Sequence, residues 1–205
     1  MRKLLSGHRL VAVITLESSD DAVPLAKALV AGGLCALEVT LRTDAAVEGV
    51  SNIIREVPEA IVGTGTVCTT QQVALSEDLG CSYMVSPGAT NELLEAGQRA
   101  SIPLLPGVST VSEMMNGMQF GYRDFKFFPA GACGGVTFLK SLQGPFPAVQ
   151  FCPTGGVGVH NIGEYLALPN VLAVGGSWIA PVGLIRDKRW DEIENLARDA
   201  VALCT

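Results

Sequence analysis

The chain has 205 residues, of which 48% are hydrophobic and 17% are charged, and its formal net charge is −6. This length suits a single domain with a sizeable core, whereas the low charge and the 23 glycines exclude a disordered tail, a coiled coil or a long helical array. The acidic balance argues against a nucleic-acid partner.

Short apolar runs recur at regular intervals along the chain and are predicted to be strands. They cover residues 10–16, 36–41, 60–66, 82–86, 102–106, 125–128, 149–153 and 171–175. Each run is followed by a stretch with helical periodicity, and several of these stretches open on a threonine that can cap a helix. The predicted helices cover residues 20–31, 44–56, 69–79, 90–100, 110–118, 135–142, 159–168 and 191–203.

The predicted strands are apolar throughout rather than alternating, which is typical of parallel strands that are covered on both faces. Eight strand–helix units occupy the 205 residues and leave no room for a second domain. We therefore predict an α/β fold, a compact (β/α)₈ TIM barrel that forms a single domain over residues 1–205, although such barrels usually have ~250 residues. An open doubly wound sheet is the alternative, and the even spacing of eight units favours the barrel.

Six cysteines occur without a C-x-x-C pair, and none lies at zinc-ligand spacing from either of the two histidines. They are predicted to be reduced thiols that pack as small apolar residues. Gly7, His8 and Arg9 interrupt the apolar character of the N-terminal segment, which argues against a signal peptide. Because no apolar run reaches the ~18 residues of a membrane span, we predict a cytoplasmic protein with no membrane partner.

Lys126 is the most unusual residue at the predicted catalytic end of the barrel, which is the end where the strands have their carboxyl termini. It is one of only five lysines, and Phe125, Phe127 and Phe128 surround it in the sixth predicted strand. Burial disfavours the charged ammonium and so favours a neutral amine that can attack a carbonyl. The alternative is a lysine at a strand end whose ammonium reaches solvent.

Glu38 is the second unusual residue, a carboxylate inside the apolar run of the second predicted strand. A buried acid needs a partner, and the candidates are Arg42, nearby in sequence, and Lys126, across the barrel. Beside the amine, Glu38 would act as a general acid and base, whereas beside Arg42 it would form a structural ion pair. Arg42 could instead hold a substrate carboxylate with its planar guanidinium group.

Glycines follow the last two predicted strands, as Gly155-Gly156 and as Gly175-Gly176-Ser177. Barrels often bind phosphate at this position through backbone N–H groups, and glycine lets the backbone approach the phosphate oxygens closely. No acidic cluster indicates a metal site, and the two histidines are interpreted as surface residues. We therefore predict a phosphate site without a metal at this end of the barrel.

Seven motifs occur in order along the chain, and as a set they are highly specific. They are Glu38-Val-Thr-Leu-Arg42, Gly63-x-Gly-Thr66-Val, Ser86-Pro87-Gly88, Pro106-Gly107-Val-Ser-Thr110, Phe125-Lys126-Phe127-Phe128-Pro129-Ala130, Phe151-Cys-Pro-Thr154-Gly-Gly156 and Gly175-Gly-Ser177-Trp178. With these motifs the chain resembles, over nearly its whole length, the class I 2-keto-3-deoxy-6-phosphogluconate (KDPG) aldolases, also called 4-hydroxy-2-oxoglutarate aldolases. The resemblance implies a compact (β/α)₈ barrel, usually a homotrimer, that needs no metal and no other cofactor.

The resemblance also implies a role for each matching residue. Lys126 would form a Schiff base, and Glu38 would be the general acid and base. The other matches are Arg42 and Thr66 for the carboxylate of the pyruvate moiety, Pro87 and Phe128 for the pocket walls, Thr154 for the sugar-acid chain, and Gly155, Gly156, Gly176 and Ser177 for the phosphate. Two departures are expected to alter local geometry: Gly131 replaces an acidic residue of many members, and a barrel-capping N-terminal helix is shortened.

The implied reaction is the cleavage of a small phosphorylated keto acid, KDPG, to pyruvate and glyceraldehyde 3-phosphate in the Entner–Doudoroff pathway. 4-Hydroxy-2-oxoglutarate is the expected second substrate, and the C4-epimeric 2-keto-3-deoxy-6-phosphogalactonate is an alternative one. A non-catalytic phosphosugar-binding barrel is the alternative of another class, and the presence of both Lys126 and Glu38 argues against it. A metal-dependent pyruvate aldolase would need a set of Glu, Asp and His ligands that the sequence does not indicate.

Overall fold

The computed structural model describes residues 1–204, along which strands and helices alternate. The strands are β1 (Leu10–Ile14), β2 (Ala36–Thr40), β3 (Ile61–Gly65), β4 (Tyr83–Val85), β5 (Leu104–Leu105), β6 (Gly107–Val108), β7 (Asp124–Phe127), β8 (Gln150–Pro153) and β9 (Val174–Gly176). The helices are α1 (Ala22–Ala31), α2 (Ala45–Glu56), α3 (Thr70–Asp78), α4 (Asn91–Arg99), α5 (Val111–Gln119), α6 (Gly135–Leu142), α7 (Ile162–Leu166), α8 (Val182–Arg186) and α9 (Trp190–Ala202). Within these residues, no helix is both long and apolar enough to cross a membrane.

The strands pair in parallel and close into a barrel. One run of neighbours has the order β5-β4-β3-β2-β1-β9, and the other has the order β6-β7-β8. β5 and β6 lie on either side of Pro106 in one extended segment, which pairs with β4 and then with β7. Bridges from Phe151 to Val171 and from Thr154 to Gly175 join β8 to the segment that ends in β9. Eight extended segments therefore surround one interior: the predicted (β/α)₈ barrel is confirmed, and the open doubly wound sheet is wrong.

A few elements differ in extent from the sequence pattern. The strand predicted at 171–175 begins later, as β9, because Val171 makes only a single bridge. The helix predicted at 159–168 contracts to α7, because Asn161 Oδ1 accepts the backbone N–H of Gly158 in a turn before the helix. The sequence pattern does not predict α8, since its five residues are too few for a helical period to emerge.

Three helices begin at the predicted threonine caps, and two are followed by glycines with positive φ. The side chains of Thr69, Thr90 and Thr110 each accept a backbone N–H from the first turn of the following helix. Gly33 and Gly80 follow α1 and α3 with φ of +87° and +76°, a region that favours glycine. The threonine caps fix the length of the loop between a strand and the next helix, which is where the predicted site residues lie.

Two glycines in the barrel lie where the neighbouring segment leaves no room for a side chain. A Cβ atom at Gly63 would lie 2.5 Å from the ring of Tyr83, and one at Gly107 would lie 2.3 Å from the backbone of Pro87. Neither position accepts a side chain without a shift, because these separations are far below van der Waals contact. The barrel interior is therefore a packed core in which glycine positions decide where large side chains go.

The N-terminal segment covers the end of the barrel opposite the predicted catalytic end. Residues 2–7 form turns, so the capping element is irregular rather than a shortened helix. Leu5 is buried in the interior cluster that also contains Tyr83. Arg2 donates from Nε to Asp124 Oδ1 at 2.6 Å, which ties the segment to the first residue of β7.

Replacing Tyr83 with phenylalanine is expected to stabilise the barrel. The residue is 1% exposed, and its hydroxyl has no hydrogen-bond partner among the described residues. Because an unpaired buried hydroxyl costs about 1–3 kcal/mol, we expect a gain of about 1 kcal/mol in the free energy of unfolding and a rise in Tm of about 2–4 °C. Thermal unfolding measures this, with Tyr122→Phe, which loses a hydrogen bond to the carbonyl of Leu94, as a destabilised counterpart. A lower Tm for Tyr83→Phe would contradict the expectation.

Candidate active site

β7 places Lys126 inside the barrel and its two flanking phenylalanines outside. Phe127 is fully buried against the outer helices and stacks on Phe138 of α6 with 4.9 Å between ring centroids. Phe125 faces the same outer layer, since it contacts Gly117 of α5. These rings anchor the strand, and strand alternation then turns Lys126 inwards. Its side chain is 5% exposed, which contradicts the alternative of an ammonium that reaches solvent.

The amine of Lys126 meets the carboxylate of Glu38 across the barrel. Nζ donates to Glu38 Oε1 at 3.0 Å, and the Glu38 side chain is 4% exposed. The alternative ion pair between Glu38 and Arg42 is wrong, because Arg42 Nε donates to Thr66 Oγ1 instead. Lys126 Nζ also lies 5.4 Å from the centre of the Phe128 ring, within the range of a cation–π contact. A buried amine and a buried carboxylate are thus held within one hydrogen bond of each other.

Two neutral groups line the barrel interior next to this pair. Burial, and secondarily the charge of Glu38, raise the pKa of Tyr83 well above its usual value. Burial likewise raises the pKa of the Cys152 thiol to about 12, with the charge of Glu38 adding to the effect and Lys126 opposing it. Both groups are therefore protonated near neutral pH, so neither a phenolate nor a thiolate competes with Lys126 as a nucleophile.

Arg42 and Thr66 form a polar pair at the catalytic end of the barrel. Thr66 follows β3 with φ of +59°, which is strained for a β-branched residue and typical of functional sites. In this conformation its Oγ1 accepts from Arg42 Nε at 3.0 Å, and its carbonyl accepts from Cys68 Sγ at 3.3 Å. Among residues 1–204 the two terminal nitrogens of the Arg42 guanidinium have no hydrogen-bond partner. They are free to bind an anion with the fork geometry that suits a carboxylate.

The predicted pocket residues Phe128, Thr154 and Pro87 each lie just after a barrel strand. Phe128 is half-buried directly after β7, and its ring lies against the backbone at Gly155. Thr154, which is 6% exposed, follows β8, and its Oγ1 lies 2.3 Å from where a Cβ of Gly175 would be. Pro87, which follows β4, is also half-buried. These residues come from different segments, and the parallel barrel brings their strand ends to one face.

The predicted phosphate loops lie side by side at the ends of β8 and β9. The bridge between Thr154 and Gly175 joins these ends. Gly155 and Gly156 have φ of +87° and +77°, and within the described part of the chain their N–H groups have no hydrogen-bond partner. Ser177 is exposed at the end of β9. Unpaired N–H groups of successive glycines form a concavity that suits an anion.

Gly131 contacts the glycine loop that follows β8. Its N–H donates to the carbonyl of Gly155 at 2.9 Å, which ties the loop after β7 to the glycine loop after β8. A Cβ atom at Gly131 would lie 3.3 Å from Gly156 Cα, which is tighter than an ordinary contact. Because Gly131 has no side chain, the loop after β7 lies close to the loop after β8. This close approach is the change in local geometry at Gly131.

Sequence reasoning did not single out two residues next to Glu38, Gly65 and Tyr83. The sequence feature that could have indicated them is the alternation in β3. Gly63 and Gly65 both face the interior and leave two side-chain positions empty. Both histidines were interpreted as surface residues: His160 is exposed, whereas His8, which precedes β1, is half-buried. Among residues 1–204, no three His, Cys, Asp or Glu side chains group together as a metal site would require.

The fold and the buried amine–carboxylate pair together define a (β/α)₈-barrel enzyme of the lysine-dependent class. The family model for KDPG and KHG aldolase matches residues 1–196. A KHG/KDPG aldolase of Escherichia coli (strain K12) is 51% identical over 198 residues, which cover 97% of this chain and 93% of that protein. The chain therefore belongs to the KDPG and KHG aldolase family.

Solved structures agree with this family. The KDPG aldolase of Legionella pneumophila, crystallised with pyruvate captured as a covalent carbinolamine intermediate, matches with a TM-score of 0.94 and 46% identity and covers 97% of this chain and 96% of that chain. The 2-keto-3-deoxy-6-phosphogluconate aldolase of Zymomonas mobilis ZM4 with 3-phosphoglycerate matches with a TM-score of 0.91 and 41% identity, covering 98% and 94%.

Proposed function

We propose that the protein is a class I aldolase that cleaves KDPG to pyruvate and glyceraldehyde 3-phosphate, as in the Entner–Doudoroff pathway, and that also acts on 4-hydroxy-2-oxoglutarate. The observation that carries the proposal is the 3.0 Å contact between Lys126 Nζ and Glu38 Oε1 inside the barrel. It places a nucleophile and a proton-transfer group side by side, as a Schiff-base aldol cleavage requires. The relative that carries the name KHG/KDPG aldolase supports both substrates.

The first half of the proposed reaction forms the Schiff base. Glu38 accepts a proton from Lys126 along their hydrogen bond, which frees the lone pair of the amine. The amine attacks the C2 ketone, and one of its protons moves to the ketone oxygen to give a carbinolamine. Glu38 then returns its proton to the same oxygen, so that water leaves and an iminium remains. The carbinolamine of pyruvate in the Legionella protein is an intermediate of this kind of chemistry.

The second half breaks the carbon–carbon bond. The Glu38 carboxylate, directly or through water, takes the proton of the C4 hydroxyl, the C3–C4 bond breaks, and its electron pair moves into the iminium to give an enamine. Glyceraldehyde 3-phosphate leaves. The enamine then takes a proton at C3 from the carboxylic acid of Glu38 or its water, and hydrolysis releases pyruvate and the free amine of Lys126.

The remaining site residues are proposed to orient the substrate. The free guanidinium nitrogens of Arg42, together with the Thr66 hydroxyl, would hold the carboxylate next to C2, so that the ketone faces Lys126. The N–H groups of Gly155 and Gly156, with Gly176 and Ser177, would hold the phosphate at the other end of the substrate. Pro87 and Phe128 would form the walls between these two ends. Two anchored ends fix the reacting bond between Lys126 and Glu38.

The identity of the C4 epimer rests on Thr154. It is buried at the end of β8, and its hydroxyl is held against Gly175, between the amine–carboxylate pair and the glycine loops. We place the C4 hydroxyl of the substrate near this group, and we propose the gluconate series as the preferred one. The relatives with 45–51% identity carry KDPG aldolase names, which supports the same choice over the galactonate series.

We further propose that catalysis needs no metal, because the iminium itself supplies the electrophile. The homotrimer is proposed by analogy with the family. Six free cysteines support a reducing compartment, and we propose the cytoplasm.

A coupled assay of pyruvate release tests the proposed function. KDPG, its C4 epimer and unphosphorylated 4-hydroxy-2-oxoglutarate are compared at equal enzyme concentration, with and without EDTA. We expect the fastest release from KDPG, measurable release from 4-hydroxy-2-oxoglutarate, and no effect of the chelator. Release from none of the three acids would contradict the proposal, and activity lost with EDTA and restored by a divalent ion would favour a metal-dependent aldolase.

A further inference from the structure

Gly65 faces the barrel interior beside Glu38 and has no room for a side chain. A Cβ atom built at Gly65 would lie 2.4 Å from Glu38 Oε1, 2.7 Å from its Cγ and 2.9 Å from its Cδ. These three nearest atoms all belong to the side chain of Glu38. The carboxylate of Glu38 therefore lies in the space that any other residue at position 65 would fill.

The backbone does not require glycine at this position. Gly65 lies outside the set of glycines with positive φ, and it pairs in regular parallel register with Thr40 of β2. Its carbonyl accepts the N–H of Leu41 at 2.8 Å, as a β-ladder residue does. Glycine at position 65 is thus explained by the space needed for one neighbouring side chain, and neither a turn nor a bulge requires it.

Tyr83 limits the space of the Glu38 side chain on the side of the amino-terminal strand ends. Glu38 is level with Gly63 on β3, and Gly63 is level with Tyr83 on β4. The Tyr83 ring covers Gly63, so the Glu38 side chain extends towards Gly65 at the catalytic end of the barrel. In that position its Oε1 reaches Lys126 Nζ at 3.0 Å.

We propose that Gly65 is a positioning residue for the aldol cleavage: its empty side-chain position holds the Glu38 carboxylate within hydrogen-bond distance of Lys126. This inference rests on the proposed function, because it assigns Gly65 a role through the proton transfer by Glu38. It adds a residue without a functional group to the active site and explains why β3 presents glycine, rather than a packing side chain, next to the reacting groups.

Gly65→Ala is expected to lower kcat for KDPG cleavage about 10²-fold with a change in KM below about threefold, since a catalytic group displaced by about 1 Å costs a rate factor of this size. KM changes little because Arg42 and the glycine loops, which hold the ends of the substrate, stay in place. Gly144→Ala is the matched control, because a Cβ there meets no atom within 4 Å, and we expect wild-type kinetics. An equal loss of kcat in both variants, or wild-type kcat in Gly65→Ala, would overturn the proposal.

A stability cycle separates positioning from a general packing role, and it works even if Gly65→Ala folds poorly. The three atoms nearest to the added Cβ all belong to Glu38, so the drop in Tm caused by Gly65→Ala should disappear when Glu38 is alanine. The double variant Gly65→Ala/Glu38→Ala is therefore expected to melt no lower than Glu38→Ala. A lower Tm for the double variant would mean that Gly65 is needed by the backbone or by another neighbour, and the proposal would be wrong.

A partial rescue gives the kinetic counterpart. Glu38→Asp shortens the side chain by one methylene group. In Glu38 this methylene carbon, Cγ, lies 2.7 Å from the Cβ that Gly65→Ala adds. The double variant Gly65→Ala/Glu38→Asp is expected to retain at least about tenfold more activity than the product of the two single losses predicts. Simple multiplication of the losses would contradict the proposal. Wild-type cleavage of KDPG tests the proposed function separately, so failure of one does not imply failure of the other.

Discussion

Lys126→Met is expected to lower kcat for KDPG cleavage by about 10⁴-fold or more, because the reaction loses its nucleophile. In the wild type, incubation with pyruvate and borohydride is expected to add an irreversible mass to Lys126, and peptide mass spectrometry locates it. The variant should gain no such mass. Lys140→Met, on the exposed face of α6, is the matched control and should keep both turnover and the adduct. An adduct on another lysine, or full turnover without Lys126, would contradict the mechanism.

The same substitution also has an effect on stability that must be separated from the effect on turnover. Removing the amine leaves the Glu38 carboxylate 4% exposed without its ion-pair partner, and breaking a buried pair in this way costs about 3–5 kcal/mol. We therefore expect a lower Tm for Lys126→Met and a recovery in Lys126→Met/Glu38→Gln, where no charge remains buried. Recovery of the Tm in the double variant would show that the unpaired carboxylate causes the lower stability of Lys126→Met, and turnover of Lys126→Met is therefore measured per folded molecule.

The barrel could be predicted from the sequence because its information is local. Each strand is an apolar run with no alternation, as both-sided burial requires, and threonines such as Thr69, Thr90 and Thr110 mark where helices begin. The elements that the sequence did not predict are either short or depend on how the strands pair. α8 has five residues and no visible period, and the segment around Pro106 pairs with one neighbour before the proline and with the other after it.

The central pair of the site could be predicted for the opposite reason, because Lys126 and Glu38 disagree with their local surroundings. A charge in an apolar strand is costly unless it has a partner, so Lys126 was one of two candidate partners for Glu38, and Arg42 was the other. The surrounding geometry could not be predicted in this way. The contact of Gly65 with Glu38 depends on the register of β2 and β3, and the φ of +59° at Thr66 depends on its tertiary contacts.

The surroundings of Lys126 show that residues adjacent in sequence need not be in contact with a side chain. Phe125 and Phe127 adjoin the lysine in the chain, yet both rings point away from it into the outer layer. Of the groups that do lie around the pair, Phe128 is two residues from Lys126, whereas Tyr83 and Cys152 are more than 25 residues away in sequence. Burial of Lys126 was predicted correctly, but the reason is strand alternation and barrel closure rather than its flanking residues.

Glu38→Gln is expected to lower kcat for cleavage by about 10²–10⁴-fold while Lys126 still forms an adduct with pyruvate. Glutamine can accept the hydrogen bond from Nζ at the observed 3.0 Å, so the amine remains oriented. It cannot take the proton of the C4 hydroxyl, so the C3–C4 bond does not break at the normal rate. The measurements are steady-state pyruvate release and borohydride trapping on the same preparation, with Glu56→Gln, an exposed residue at the end of α2, as the control.

The outcome also separates a catalytic carboxylate from a structural ion pair. If Glu38 served only to neutralise Lys126, Glu38→Gln would lower the Tm but leave kcat per folded molecule near the wild-type value. Loss of steady-state cleavage with some trapping retained is the result expected of a general acid and base, because irreversible trapping accumulates product even when proton transfer is slow, whereas turnover falls with the rate of proton transfer.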